Sequence, residues 1–521
     1  MSVAIPQDHA GYDDSLAFRD RYRHPGHEDR LEPKDGDDDH KHASEDLSRT
    51  DGVSADQELE AFGYTPELAR SRSTLQVAFM SFVLAAIPYG LATTFFYPLV
   101  GGGATNIIWG WVGVSAIILC VAASLGEITS VYPTSGGVYY QTFMLAPLRW
   151  RRVASWICGW LYVVGNITIT LSVNFGTALF LVSCINVFET DGVGIFPGEP
   201  YQVFLVFLGI TILSVLVSSL GNRWLPILDN GRRSAKYVFT SFEPRSGWVP
   251  GWSFCVGLLQ AAYATSSSGM IISMCEEVQQ PATQVPKAMV GTIVLNTLCG
   301  LLFLIPVVFV LPDIDELVAL ASGQPFPSII KSAVGSPGGA FGLLVPLLVL
   351  ALICGIGCTT AASRSTWAFS RDGAIPASHL WKKIDTKLDV PMNSMLLNTG
   401  VQIVLGAIYF GSTAAFNAFS SVGVICLTTS YAAPIAVSLI GGRRAVKTGS
   451  FYLGPMGLVC NVIALAWSLL AIPLFCMPST LPVAATTMNY ASVVFAAFVL
   501  ISVGWYAVWG HSNYTGPPEA H

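Results

Sequence analysis

The residues best suited to bind a polar solute stand in the middle of an apolar stretch. From Trp252 the chain reads Ser-Phe-Cys-Val-Gly-Leu-Leu-Gln-Ala-Ala-Tyr, then Ala264-Thr265-Ser266-Ser267-Ser268-Gly269, then Met270-Ile271-Ile272-Ser273-Met274-Cys275 and Glu276-Glu277. Thr265, Ser266, Ser267 and Ser268 supply hydroxyls, and Gly269 supplies backbone freedom. Lipid cannot hydrogen-bond a bare backbone, so a break at bilayer depth must face protein or a watery cavity. Broken membrane helices of this kind hold solutes between half-helix ends that offer unpaired N–H and C=O groups. The competing account is that each hydroxyl bonds a carbonyl of its own helix.

A second stretch has the same character. Ala85-Ala86-Ile87-Pro88-Tyr89-Gly90-Leu91-Ala92-Thr93-Thr94 places a proline and a glycine inside an apolar run. Pro88 removes an N–H and clashes with the preceding turn, and Gly90 lowers helix stability. A break here would free amides around Tyr89, Gly90, Leu91 and Ala92, with Thr93 beside them. A plain proline kink, repacked by its neighbours, is the alternative. Asn166 is a third polar residue at bilayer depth, on the helical face of Trp160 and Tyr162. Asparagine there can also simply bond between helices. Glu127 and Glu276 close apolar runs at their ends; a carboxylate withdrawn from water can carry a proton or help close a gate. Loop capping is the simpler use of both.

The elements that must position these groups are membrane helices. The chain has 521 residues, is 52% hydrophobic and only 12% charged, with a mean hydropathy of +0.56. That charge fraction is about half the usual value for a soluble protein. Residues 1–72 are polar, lack a sustained hydrophobic period and read as a disordered cytoplasmic tail. Asp35, Asp37, Asp38, Asp39, Glu45 and Asp46 lie there and account for much of the net charge of -6. A transmembrane domain over 73–510 and a short tail at 511–521 follow. The cysteines sit mostly within apolar runs, and no CxxC spacing suggests a metal or disulfide framework. No nucleophile–base pair, metal cluster or phosphate loop appears. The expectation is therefore no enzyme, no cofactor and no nucleic-acid partner, with the bilayer itself as the surroundings.

Apolar segments fall at about 75–98, 105–125, 154–187, 201–220, 252–275, 288–311, 340–363, 395–412, 416–440, 457–477 and 489–509, each near the length that crosses a bilayer. Helices, not barrel strands, fit runs of this length. Arg149, Arg151 and Arg152, then Arg371, Lys382, Lys383 and Lys387, then Arg443, Arg444 and Lys447 mark the cytoplasmic side. An even number of crossings must then separate Arg152 from Lys287, yet only three segments lie between them. The stretch from Leu220 to Gly251 is too polar to supply the fourth.

Several motifs together resemble the amino acid–polyamine–organocation permeases, in particular the fungal amino acid/choline/GABA branch. They are Glu127-Ile-Thr-Ser-Val-Tyr-Pro133-Thr-Ser-Gly136-Gly137-Val-Tyr139-Tyr140, Glu276-Glu277-Val-Gln-Gln-Pro281 with Pro286-Lys287-Ala288, the segment from Ala361 through Arg364, Phe369, Arg371, Asp372 and Gly373 to Pro376, and Gly63-Tyr64 ahead of the first span. The resemblance spans roughly residues 60–510. It implies an all-α polytopic membrane protein with LeuT-like inverted five-helix repeats plus two further helices. Twelve spans would follow; here about 11 helices remain, with the fifth missing at Asn230–Gly231. It also implies that the segment around Tyr89–Thr93 binds an amino acid's carboxylate, and that Asn166 lines the cavity. Where the family commonly carries Gly-aromatic-Asp, this chain has Ser267-Ser268-Gly269, which leaves no acid for a substrate amine. A cage of Trp160, Tyr162, Tyr263 and Trp367 would suit a choline-like cation instead. The implied function is proton-driven, alternating-access import of an amino acid, GABA or choline, at the plasma membrane or the vacuolar membrane, with the N-terminus cytoplasmic. A nutrient sensor or a truncated, inactive permease is the alternative.

Overall fold

The computed structural model describes residues 59–60, 80–82, 84–190, 193–196, 198–220, 239–320, 323–385, 390–410, 413–483, 488–514 and 516–518. Nearly all of the N-terminal tail, Gly63-Tyr64 and the Asn230–Gly231 position lie outside the described residues. The helices below belong to the unit Asp51–His521.

The body is helical. Eight of its helices are long and apolar enough to cross a bilayer, and a bent pair makes a ninth. The bent pair is Met80–Thr93 with Phe96–Gly102, meeting at 53°; we label its regular parts α1 (Ile87–Thr93) and α2 (Phe96–Gly102). The chain continues through α3 (Asn106–Thr129), the short α4 (Val138–Leu145), α5 (Arg151–Ile185) and α6 (Pro200–Leu220). Next come α7 (Pro250–Glu277), α8 (Pro281–Phe309) and the peripheral α9 (Phe326–Val334). The last five are α10 (Pro337–Arg371), α11 (Met392–Gly406), α12 (Thr413–Ile440), α13 (Gly454–Cys476) and α14 (Ala491–Asn513). Two-residue strands β1 (Glu189–Thr190) and β2 (Val193–Gly194) pair antiparallel in the loop between α5 and α6.

At 1.5 Å per residue the 35-residue helices α5 and α10 reach about 50 Å, well past a 30 Å hydrocarbon core. Their ends are therefore polar: α5 opens on Arg151-Arg152, and α10 closes on Arg364 and Arg371. The apolar run expected at 340–363 was thus the lipid-depth portion of a longer rod, whereas the run expected at 154–187 nearly coincides with α5. Burial separates centre from rim. In α7 the most apolar window is 94% buried, while in α14 it is 11% buried, so α7 is the axis and α14 faces lipid.

Small residues let the central rods touch. A Cβ added at Gly165 of α5 would stand 3.0 Å from the backbone nitrogen of Leu427 in α12, and one at Gly423 would stand 3.1 Å from that of Ile169. Without a hydrophobic driving force between helices in lipid, such close backbone approach is what holds a bundle together. The hydroxyls of Ser172 and Ser420 hydrogen-bond across the same seam.

One end of the bundle is rich in arginine: Arg151, Arg371, Arg443 and Arg444 all lie where helices begin or end. At the other end, Thr105 donates to the Ser241 carbonyl (3.1 Å) and Glu243 to that of Gly102 (3.1 Å). Helix α6 starts near this second end, where Phe204 meets Phe410 at 4.7 Å, and runs past Gly355 at the middle of α10 toward the arginine-rich end. Leu220 and Phe239, the residues flanking 221–238, therefore stand at opposite ends of the bundle.

Candidate functional site

The first interruption lies upstream of its expected position. Tyr89, Gly90, Leu91, Ala92 and Thr93 are all within α1, so they are helical and not unwound. The chain breaks instead at Ala86, which has φ 38° and ψ 51°, and bends again at Thr94-Phe95. The physical reason is proline. Pro88 occupies the first turn of α1, where its fixed φ suits the helix. The disruption falls before it. Downstream, Thr93 and Thr94 bond back to the Gly90 carbonyl at 3.3 and 2.6 Å, which holds the short helix together.

The second interruption is a change of winding and not a gap. Helix α7 is α-helical to Thr265 and 3-10 from Ser266 to Glu277, a 12-residue run. Runs of 3-10 winding beyond three or four residues are uncommon and often mark a hinge. The hydroxyls divide in use. Thr265 bonds the Ala261 carbonyl (2.7 Å) and Ser266 that of Tyr263 (2.8 Å), both on their own helix. The Ser267 hydroxyl is buried and has no partner. It shares this with other buried groups of the bundle, among them Asn166 Oδ1 and Ser214 Oγ, and differs from those two in lining a cavity.

These two interruptions face each other at mid-depth. A Cβ on Gly90 would meet the Ala264 Cβ at 3.3 Å, and Gln260 of α7 donates to the Leu91 carbonyl at 2.7 Å. Beside this crossing is a small cavity of about 20 Å³, room for roughly one water in this conformation. Its wall includes Leu84, Tyr89, Gly90, Tyr263, Ser266 and Ser267, closed by Ile169 and Val173 of α5 and by Cys354 and Cys358 of α10. Every lining residue is buried, so the chamber is shut. The wall carries no charged side chain. Tyr89 is anchored across to α5, its hydroxyl 2.9 Å from the Val173 carbonyl and 2.8 Å from Thr177 Oγ1.

Of the sequence candidates, Tyr89, Gly90, Ser266 and Ser267 come together at this wall. Leu91, Ala92, Thr93, Thr265, Ser268 and Gly269 are buried next to it without lining it. Asn166 is also fully buried, and its amide donates to the Tyr162 carbonyl one turn back on α5, at 2.8 Å. Gly269 packs under Tyr431, and its carbonyl accepts from the Tyr162 hydroxyl at 3.4 Å.

Ion pairs close the arginine-rich end. Glu276 takes a two-pronged contact from Arg371 at 2.8 and 2.9 Å, and accepts the Ser135 N–H at 3.2 Å. Glu277 accepts from Arg364 at 2.7 Å. Glu127 accepts from Arg443 at 2.7 Å and from the Leu453 N–H at 2.8 Å. In this conformation each carboxylate is committed to an arginine. At the opposite end Arg245 clasps Asp315 at 2.5 Å and Glu243 at 3.0 Å. Its guanidinium, hydrogen-bonded to Asp315, holds that carboxyl below the usual range, and the Ser241 hydroxyl, aided by Arg245, does so for Glu243.

The chain matches the family model described as amino acid permease in two stretches, residues 73–241 and 226–498. It is 31% identical over 487 residues to an uncharacterized amino-acid permease of Schizosaccharomyces pombe, covering 89% of each chain. An amino-acid permease of Arabidopsis thaliana is 30% identical, with 88% of this chain and 95% of the other aligned. A choline transporter of Saccharomyces cerevisiae is 27% identical, with 92% and 86% aligned. The chain belongs to the amino acid permease family. It is an integral membrane transporter, not an enzyme. The two matched stretches overlap at residues 226–241.

Within this permease the structure adds wall residues that sequence reasoning passed over. Cys354 and Cys358 looked like plain packing residues, yet their one-turn spacing puts both on the cavity side of α10. Arg364 and Arg371 are seven apart, on one helix face opposite Glu276-Glu277, a complementarity that the sequence did display. The aromatic cage is not assembled: only Tyr263 reaches the cavity. Trp160 packs on Phe369, Trp367 lies under Arg371, and Tyr162 pairs with Tyr431.

Proposed function

We propose that this permease imports a small nitrogenous solute (an amino acid, GABA or choline) by alternating access through the chamber between α1, α5, α7 and α10. The observation that carries the reading is the unpaired Ser267 hydroxyl at a chamber wall shared by both interrupted helices. Tyr89, Gly90, Leu91, Ala92 and Thr93 form the α1 side of the site, and Thr265, Ser266, Ser267, Ser268 and Gly269 the α7 side. Asn166 braces α5 behind them. With no acid in the wall, the solute's cationic end meets carbonyls and the Tyr263 ring. The names of the relatives, amino-acid permease and choline transporter, fit that chemistry.

The two interrupted rods occupy equivalent places in a pair of inverted five-helix repeats, with the arginine-rich end cytoplasmic by the positive-inside rule and the plasma membrane as the setting. Glu276 and Glu127 act as gates: their arginine pairs must part before the chamber opens to the cytoplasm, and proton entry drives that parting.

Uptake of labelled amino acids, GABA and choline by vesicles holding the purified chain tests this reading. Saturable uptake of one class, dependent on a proton gradient, is expected; absence of uptake of all three contradicts it. One observation favours a second reading, a shortened and inactive permease: Leu220 and Phe239 stand at opposite ends of the bundle, and the 221–238 link between them is polar in sequence. Under that reading uptake appears only after a helix is inserted at Asn230–Gly231.

A further inference from the structure

Pro88 leaves one carbonyl without its helical partner. The i→i−4 bond that residue 88 would donate runs to Leu84, and proline has no N–H to give. The Leu84 carbonyl instead accepts from across the chamber: Cys354 Sγ is 3.5 Å away and Cys358 Sγ 4.0 Å. The two thiols stand 4.0 Å apart, one turn apart on α10, and both line the chamber. Their spacing on one helix face also brings them to the same point of contact with the Ala86 break.

We propose that Cys354 and Cys358 form a dithiol site for thiol-seeking trivalent ligands, of which an arsenical is the type, and that its occupation locks the permease. The step is redox-neutral. An organoarsenous acid, R–As(OH)2, loses its two hydroxyls; two As–S bonds form to Cys354 and Cys358; the two thiol protons leave with the hydroxyls as water. The arsenic fills the space beside Ser267 and withdraws both S–H donors from Leu84. The thiols are buried in the closed chamber, so the ligand enters only when the chamber opens.

The test uses the full chain in lipid nanodiscs, with phenylarsine oxide as probe and intact mass as readout, and does not depend on which solute is carried. Cys120 neighbours Cys460 and Cys426 neighbours Cys476, so the parent protein for every variant carries Cys120→Ser and Cys426→Ser; the expected result is one arsenic per parent chain, removed by excess dimercaptan. Occupancy should fall at least tenfold in Cys354→Ser, in Cys358→Ser and in the corresponding alanine variants. Cys184→Ser and Cys299→Ser leave it unchanged. Folding of every variant is checked by its thermal melt. A parent protein that takes up no arsenic, or an adduct that persists when Cys354→Ser and Cys358→Ser are added to it, overturns the proposal.

Discussion

A glycine with no room beside it gives the sharpest prediction for a single residue. A Cβ at Gly269 would stand 2.6 Å from Tyr431 Cζ, and Tyr431 in turn donates to the Ser266 carbonyl at 3.2 Å. Gly269→Leu is expected to force the ring away and cost about 1–3 kcal/mol of packing strain. Uptake should be abolished while the protein still reaches the membrane, as scored by transport against membrane-fraction abundance. Gly90→Leu, against Ala264, should act in the same direction. The composition of this site was legible in the sequence as four consecutive hydroxyl residues before a glycine, two of which, Thr265 and Ser266, bond carbonyls of their own helix. Which hydroxyl stays free was not legible. That depends on 3-10 winding, which lets Ser266 reach its own Tyr263 carbonyl and leaves Ser267 aimed into the chamber. The two cysteines were hidden for a related reason: a thiol has the volume and apolarity of a packing residue, and only the orphaned Leu84 carbonyl reveals their use.

Ion pairs tie elements together, and both ends of the bundle offer tests. Glu276 and Arg371 are 1% and 11% exposed at their side chains. Removing one member strands a buried charge, at a cost of about 3–5 kcal/mol, whereas replacing both with apolar residues of similar size is close to neutral. Arg371→Met should therefore melt well below the wild type, and Glu276→Met/Arg371→Met should recover most of the loss. At the other end, Asp315 and Glu243 titrate below their ordinary values of 3.8 and 4.5. A carboxylate with a depressed folded-state pKa contributes stability that is present above its unfolded value and lost as pH falls through its folded one. The stability gap between wild type and Arg245→Gln should stay level above about pH 4.5 and close as the pH drops below 4, in melts of the full chain in nanodiscs. The positions of helices were the most legible feature of this sequence, since apolar length is set by bilayer thickness. Their true ends were not. Arg364 and Arg371 look like loop residues on hydropathy alone, yet they continue α10 because Glu277 and Glu276 wait for them. Pro88 was read as the point of fracture, but a proline is comfortable in a first turn, and Ala86 took the irregular backbone instead.

At the scale of the whole molecule, charge counting along the sequence and the geometry of the flanks meet at one place. The positive residues call for an even number of crossings between Arg152 and Lys287, and the apolar segments of the sequence supply only three. In the structure Leu220 and Phe239 stand at opposite ends of the bundle, and the two stretches of the family match overlap at 226–241. The closure of both ends around an empty chamber was not evident, because it rests on contacts between residues far apart in sequence, such as Glu127 with Arg443 and Arg245 with Asp315. The central claim is that the chamber beside Ser267 is where the solute sits. Equilibrium binding of the labelled solute to purified protein tests it directly, comparing Ser267→Phe with Leu500→Phe on the lipid face of α14. The account predicts that binding falls at least tenfold in Ser267→Phe and is unchanged in Leu500→Phe. Equal binding in both variants, with each protein folded, would contradict it.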